Sequence, residues 1–289
     1  MKLKTLAIAI AAAAMPFAAQ AELKVGGDVT VGYFEDANGA STFGADGSEL
    51  NFDASEKVGG LTYFGHVEVN IEDAGAGTGT LTSDDQYVGV KGAFGEVRLG
   101  DTDNGCDAVD TGWVVSDEFL LHGSGGCKAG DQNNIVYRGA RGPVSYAVGY
   151  SPDVDNGATT AGEDTVSVGV KGKMGPAAVS LGYESETAQG SNVVLGVSGN
   201  FGPIAVGVRA NKYENEHATS GEDVAIGYNA QYAAGANKAY VGIGDVNNND
   251  TLFLGYQRSL GSKTTFIAEY LDDDSAAEKQ VAVALKHKF

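Results

Sequence analysis

The sequence predicts an all-β fold, a transmembrane antiparallel β-barrel of about 16 strands, and three observations carry that expectation. Apolar and polar residues alternate with period 2 almost throughout, while helical i, i+3, i+4 spacing is scarce. Short glycine-centred connections alternate with long acidic ones. The N-terminus looks built for export, yet no later stretch approaches the roughly 18 consecutive apolar residues of a membrane-spanning helix.

Met1–Ala21 holds Lys2 and Lys4, an apolar run from Leu6 to Ala14, Pro16, and a small-x-small ending, Ala19-Gln20-Ala21. This is the layout of a secretory signal peptide cleaved after Ala21. A membrane-anchoring helix is the alternative, but the run is short and rich in alanine. Residues 1–21 are therefore expected to be removed, leaving 22–289 as the barrel domain. Without Lys2 and Lys4, 17 Lys+Arg face 38 Asp+Glu, a formal charge of −21. That balance argues against nucleic acid or anionic headgroups as partners reached by charge attraction. Disorder, the other reading of an acidic glycine-rich chain, conflicts with the regular recurrence of Val, Ile, Leu, Tyr and Phe. An exported chain without a helical anchor goes to the periplasm, the exterior, or the outer membrane as a closed barrel.

The first strand sets Leu23, Val25, Val29, Val31 and Tyr33 opposite Lys24, Asp28 and Thr30. The last sets Val281, Val283, Leu285, His287 and Phe289 opposite Ala282, Ala284, Lys286 and Lys288. Successive strand side chains point to opposite faces, so each strand has one apolar wall and one small or polar wall. Between these ends the alternation gives strands at 48–57, 61–72, 86–92, 96–101, 132–139, 143–150, 165–172, 176–184, 192–199, 203–213, 223–232, 237–246, 250–260 and 263–271. With 22–34 and 279–289 they make sixteen; fourteen and eighteen are the neighbouring counts.

Short turns recur as Lys91-Gly-Ala-Phe-Gly95, Arg138-Gly-Ala-Arg-Gly-Pro143, Lys171-Gly-Lys-Met-Gly-Pro176 and Ser198-Gly-Asn-Phe-Gly-Pro203. Glycine supplies the positive φ of a tight hairpin, and each proline is expected to open the next strand, where a missing N–H is tolerated. The long connections fall at Glu35–Gly47, Asp73–Asp85, Asp103–Asp131, Ser151–Asp164, Ser185–Ser191, Glu214–Glu222, Asn247–Asp250 and Asp272–Glu278. A soluble β-sandwich shares the alternation, but its wet face usually carries many long charged side chains. Here the face opposite the apolar one is heavy in Gly, Ser and Ala. Tyr150, Tyr183, Tyr213, Tyr256 and Tyr270 are expected near the loop ends, and Phe94, Phe201 and Phe289 near the turns, as two interfacial aromatic bands.

The ending Lys286-His287-Lys288-Phe289 resembles the closing strand of the general diffusion porins of Gram-negative bacteria. Tyr87-Val-Gly-Val-Lys-Gly-Ala-Phe-Gly-Glu-Val-Arg-Leu-Gly100 resembles their fourth and fifth strands, and Asn134-Ile-Val-Tyr137 the start of the sixth. The resemblance implies a homotrimeric outer-membrane channel for passive diffusion of small hydrophilic solutes and ions. Phe289 would then be read by the barrel-assembly machinery, and lipopolysaccharide and outer-membrane lipid would surround the barrel. It also implies a third loop folded into the lumen as a constriction, for which Asp103–Asp131 is the candidate. That connection is the longest and contains Trp113, Val114, Val115, Phe119, Leu120 and Leu121, an apolar run that would pack poorly outside. Asp117-Glu118-Phe119 resembles the acidic element of that loop.

The family commonly faces this loop with a wall of arginines, and three of those cations are missing. Glu49, Asp101 and Val136 stand at the matching positions. Lys24, Lys91, Arg98, Arg138, Lys286 and Lys288 remain as candidates for a basic wall. Asp117, Glu118, Glu49 and Asp101 are the expected acidic constriction, which favours cations. Cys106 and Cys127 lie in the same loop, and export makes a disulfide the default. It would be either a staple for the constriction or a general stabiliser. Asp153-Val-Asp155-Asn-Gly157 and Asp245–Asp250 lack the full ligand order and closing Glu of a calcium loop, and neither cysteine has a His/Cys cluster around it. No metal or cofactor is expected. An enzyme is not expected either, because no Ser/His/acid set survives placement on strands. A substrate-specific channel or a surface receptor-like barrel stands as the alternative.

Overall fold

The structure is a computed structural model that describes residues 22–45, 47–72, 80–115, 119–120, 126–127, 134–152, 164–186, 190–214, 224–246, 249–274 and 279–289. The segment expected to be cleaved, 1–21, and the two loop acids Asp117 and Glu118 lie outside these residues.

One antiparallel sheet contains β1 (Glu22–Glu35), β2 (Ser41–Ala45), β3 (Ser48–Val58), β4 (Leu61–Glu72), β5 (Thr80–Gly92), β6 (Gly95–Asp101), β7 (Asn134–Arg141), β8 (Val144–Ser151) and β9 (Thr165–Met174). It continues through β10 (Ala177–Glu186), β11 (Gly190–Phe201), β12 (Ile204–Glu214), β13 (Val224–Ala234), β14 (Asn237–Val246), β15 (Asn249–Ser259), β16 (Thr264–Asp273) and β17 (Gln280–Lys288). From β3 onward each strand pairs with its sequence neighbour. β1 pairs with β17 from Asp28↔Lys288 to Glu35↔Val281, which closes the barrel. Phe289 N–H extends this seam by donating to Gly27 O at 3.1 Å. β2 and β3 are two pieces of one stave, because β1 pairs with β2 through Val31–Glu35 and with β3 through Glu22–Asp28. The wall therefore has 16 staves, as expected. Closure leaves the sheet without an open edge, the condition for crossing lipid with strands.

Outward side chains are the apolar ones. Leu23, Val25, Val88, Leu99, Ile135, Val168, Leu181, Leu195, Val206, Leu254 and Leu285 are all exposed, and their alternates face inward. In a water-soluble sandwich such a band would be buried against a second sheet; here none of the described residues covers it.

Several sequence expectations need correction. Ser41–Ala45, read as part of a loop, is a strand that completes the second stave. β5 starts at Thr80 rather than at 86, across a β-bulge in which Glu68 faces both Asp84 and Asp85. Bulges interrupt the period of 2, which is why the alternation lost the strand there. The prolines sit in the turns, one residue ahead of the strands at Val144, Ala177 and Ile204. Their carbonyls accept from Lys173, Asn200 and Ala233 N–H of the adjoining hairpin at 2.8–3.0 Å. Tyr213 faces inward, 3 % exposed. Tyr256 lies at the turn end, donating to Asn237 Oδ1 at 2.7 Å, whereas Tyr33, Tyr150 and Tyr183 are exposed near the loop ends.

The two-residue turn after Phe201 needs Gly202 for its backbone, not for space. Its φ is +63°, and an added Cβ would meet nothing within 4 Å. Gly202→Ala is expected to destabilise the barrel by about 1–2 kcal/mol through left-handed strain alone. Gly172→Ala, equally uncrowded and without positive φ, should change little. Urea unfolding in lipid checks both, and equal midpoints for the two variants would refute the turn argument.

Candidate functional site

After β6 the chain leaves the wall and lies against inward-facing side chains of other staves. Its bed is a track of small inward residues. A Cβ placed on Gly149, Gly169, Gly182, Gly196 or Gly207 would come within 3 Å of Gly105, Val109, Cys106 or Gly112. These glycines stand on the adjacent staves β8 to β12, so the track crosses five strands side by side. The small face that distinguished the sequence from a sandwich is, in this region, the contact surface for the inner segment.

Polar anchors fix the segment along this bed. Gly105 N–H donates to Ser167 Oγ at 2.7 Å, Thr111 and Ser198 share a hydroxyl bond of 2.8 Å, and Val114 N–H donates to Asn229 Oδ1 at 2.8 Å. Asn229 Nδ2 in turn donates to Gly112 O at 2.9 Å. Farther along, Phe119 and Leu120 N–H groups both donate to Glu269 Oε2 at 3.0 and 3.1 Å, while Tyr240 OH donates to its other oxygen at 2.7 Å. Glu269 is 3 % exposed, and these donors compensate a carboxylate that burial would otherwise penalise. Trp113, Val115, Phe119 and Leu120 pack on Phe34, Tyr240, Phe253, Leu271 and Ala282, so apolar material lines the lumen on the β14–β1 side.

Cys106 and Cys127 form the expected disulfide, with Cα atoms 5.9 Å apart. The neighbouring Gly126 O accepts from Asn192 Nδ2 and Asn211 Nδ2, each at 2.7 Å. Glu184, fully buried, accepts from Asn192 Nδ2 at 2.8 Å and Asn104 Nδ2 at 3.4 Å. Glu184 lies close enough to both sulfurs to suggest a three-ligand grouping, but a disulfide offers no thiolate to a metal.

Four inward cations each meet an acid. Arg98 Nε meets Glu96 Oε1 at 2.6 Å, with its guanidinium 4.6 Å from the Tyr87 ring centre. Arg138 Nη2 meets Asp103 Oδ2 at 3.0 Å, and Lys286 Nζ meets Asp28 Oδ2 at 3.2 Å. Arg209, absent from the sequence expectations, meets Asp110 Oδ2 at 2.8 Å and lies 5.4 Å from the Trp113 ring. Lys91 lies 5.2 Å from the Phe64 ring centre, and Lys24 pairs with Glu22 at 3.2 Å. Five of the six basic candidates, Lys24, Lys91, Arg98, Arg138 and Lys286, thus engage separate partners.

The acids on β3 to β5 have neutral or titratable partners instead. Glu49 faces inward beside Asp28 in the β1–β3 ladder and accepts from Asn51 at 3.3 Å. Asp84 accepts from Asn70 at 3.0 Å, and Asp53 lies 2.8 Å from His66 Nδ1. Glu68 reaches His66 Nε2 at 3.8 Å, and the His66 ring stacks on Tyr87 at 5.1 Å. Asp101 stands opposite Gln86, one residue past the inward pair Gly100↔Tyr87. Of the four predicted constriction acids, the described residues thus place Glu49 on the inner wall. Glu68, Asp84 and Asp85 were missed. Glu68 shares the parity of His66 and could have been found, whereas the bulge hid the aspartates.

Comparison with known proteins agrees with this architecture. The Gram-negative porin family model matches residues 5–277. Among solved structures, a loop L8 deletion mutant of OmpT, an outer membrane protein of Vibrio cholerae, aligns at 18 % identity with a TM-score of 0.73. A mutant of the Rhodopseudomonas blastica porin aligns at 12 % and 0.74, and an anion-selective porin from Comamonas acidovorans at 20 % and 0.67. Each alignment covers 93 % of this chain and 100 % of the other. No curated protein matches.

Proposed function

The chain belongs to the Gram-negative porin family, and from that premise we propose that this outer-membrane channel is a cation-preferring diffusion pore for small hydrophilic solutes and ions. The carrying observation is the asymmetry of charge pairing across the lumen. Arg98, Arg138, Arg209 and Lys286 are matched by acids, whereas Glu49 and Asp84 have amide partners that leave their charges uncancelled. The fold itself does not fix ion preference, since an anion-selective porin shares it; side chains must. The connection 103–131 acts as the constriction, with Asp117 and Glu118 among its acids. Water and ions pass on the side of β3 to β6, away from the apolar filling at β14 to β17 and β1.

The short turns face the periplasm and the long loops the exterior. Three copies assemble as a trimer, by analogy with an OmpT structure described as a trimer form. The signal segment 1–21 is removed on export, Phe289 serves the barrel-assembly machinery, and lipopolysaccharide meets the acidic loops through shared divalent ions.

Reversal potentials in planar bilayers under a salt gradient test this reading. Wild type is expected to prefer cations, with the preference shrinking as salt shortens the Debye length from ~10 Å at 0.1 M to ~3 Å at 1 M. Asp117→Asn with Glu118→Gln should reduce it. Anion preference would sink the acidic-constriction assignment, and absence of conductance from folded protein would sink the open pore.

A further inference from the structure

The short-turn mouth has chemistry opposite to that of the β3–β5 wall. A concavity of about 280 Å3 is lined by Lys238, Lys286 and Lys288 together with Gln257, Ser259 and Thr265, and its lining includes no acidic residue. Four consecutive staves, β14 to β17, supply these six side chains. The ladder places them side by side: Lys238 opposite Gln257, Ser259 opposite Thr265, and Thr265 opposite Lys286. All share the inward parity of Tyr240, Phe253, Ile267 and Ala284, which are buried.

From this juxtaposition we propose that the vestibule at the short-turn mouth is a binding site for phosphate-class oligoanions. Three ammonium groups around one concavity suit an anion with several charged oxygens, because each Lys is a compact point charge with rotatable donors. The hydroxyls of Ser259 and Thr265 supply further donors that a phosphate oxygen can accept. Asp28, 1 % exposed, approaches Lys286 from β1 at 3.2 Å and holds that ammonium in place, with its side chain 15 % exposed. Lys288 is held through its backbone, N–H donating to Lys263 O at 2.8 Å. Lys171 and Lys173 add positive potential from the inward face of the turn end of β9. A solute crossing the pore therefore meets an acidic stretch and a basic stretch in series. The vestibule concentrates anions at one mouth without making the constriction anion-selective.

The site rests on the barrel geometry, and only its side-dependence rests on the channel reading, so two experiments separate them. Calorimetric titration of the folded full chain in detergent with inorganic pyrophosphate at low salt is expected to show saturable binding. Lys238→Gln with Lys288→Gln should weaken it about tenfold or more, and Lys238→Arg with Lys288→Arg should retain it. This choice leaves the Lys286–Asp28 pair untouched, and heat-modified mobility of the variants checks that the barrel is folded. In bilayers, pyrophosphate added on the short-turn side should lower the current more than the same addition on the loop side. No saturable binding, equal affinity in wild type and the Gln variant, or equal block from both sides would overturn the vestibule. Binding that the Gln variant loses, in protein that never conducts, would keep the vestibule and remove the channel reading.

Discussion

Gly169→Leu combined with Gly207→Leu is expected to lift the inner segment off the wall while leaving the barrel closed. A side chain at 169 collides with Val109 and the Gly105 carbonyl, and one at 207 with the Gly112 carbonyl and the Asn229 amide. Backbone atoms cannot step aside as a flexible side chain can, and overpacking of this kind typically costs about 1–3 kcal/mol per site. The anchors at risk are the bonds of Gly105, Gly112 and Val114 to Ser167 and Asn229, each contributing roughly 1 kcal/mol. Strain of about 2–6 kcal/mol over the two sites matches or outweighs what these three bonds return, whereas the ladders of β9 and β12 are bonded on both sides. Cys106 is 1 % exposed in the docked state. Its disulfide should therefore be reduced by dithiothreitol about tenfold or more faster in the variant, and single-channel current should become noisier. Gly172→Leu, whose added Cβ meets nothing within 4 Å, is the control. Wild-type reduction rates in the double variant would show that the glycine track is not the bed. Reducing the disulfide alone should leave the segment docked, since bed and anchors remain.

Glu49→Gln with Glu68→Gln and Asp84→Asn is expected to abolish most of the cation preference. A unit charge about 6 Å from a permeating ion contributes on the order of 1 kcal/mol at an effective dielectric near 40, and screening trims the sum in concentrated salt. The cation-to-anion permeability ratio should then fall about tenfold at low salt, with conductance at high salt nearly unchanged. The substitutions keep size and hydrogen-bonding capacity, so Asn51 and Asn70 retain partners and the wall retains its stability. An unchanged ratio would remove β3 to β5 from the ion path. It would leave Asp117 and Glu118 to account for any preference that remained.

The opposite manipulation frees a cation. Asp110→Asn would leave Arg209, with its side chain 15 % exposed, beside a neutral amide. Breaking a pair this enclosed is expected to cost roughly 2–3 kcal/mol, below the range for full burial because water still reaches the guanidinium. Chemical unfolding of the purified barrel measures that cost, and reversal potentials should move toward anions.

The sequence by itself determined the barrel. Leu23 through Tyr33 and Val281 through Phe289 alternate because a strand has two faces, and a membrane wall needs one of them apolar along its whole length. The glycine turns at 142, 175 and 202 were legible because positive φ is a property of single residues. The disulfide followed from export and the presence of two cysteines. What the tertiary structure alone decided is which inward residues meet. Arg209 and Asp110 lie 99 positions apart, and Phe119 and Glu269 lie 150 apart; no local period encodes either distance. The bulge that brings Asp84 and Asp85 opposite Glu68 breaks the very alternation from which strand positions were read. The lysines of β14 and β17 become neighbours only once the register of four staves is fixed. Alternation records which side of the wall a residue faces, because that depends on its two chain neighbours. Pairing across the lumen depends on register, closure and the path of the inner segment, which the whole chain settles together.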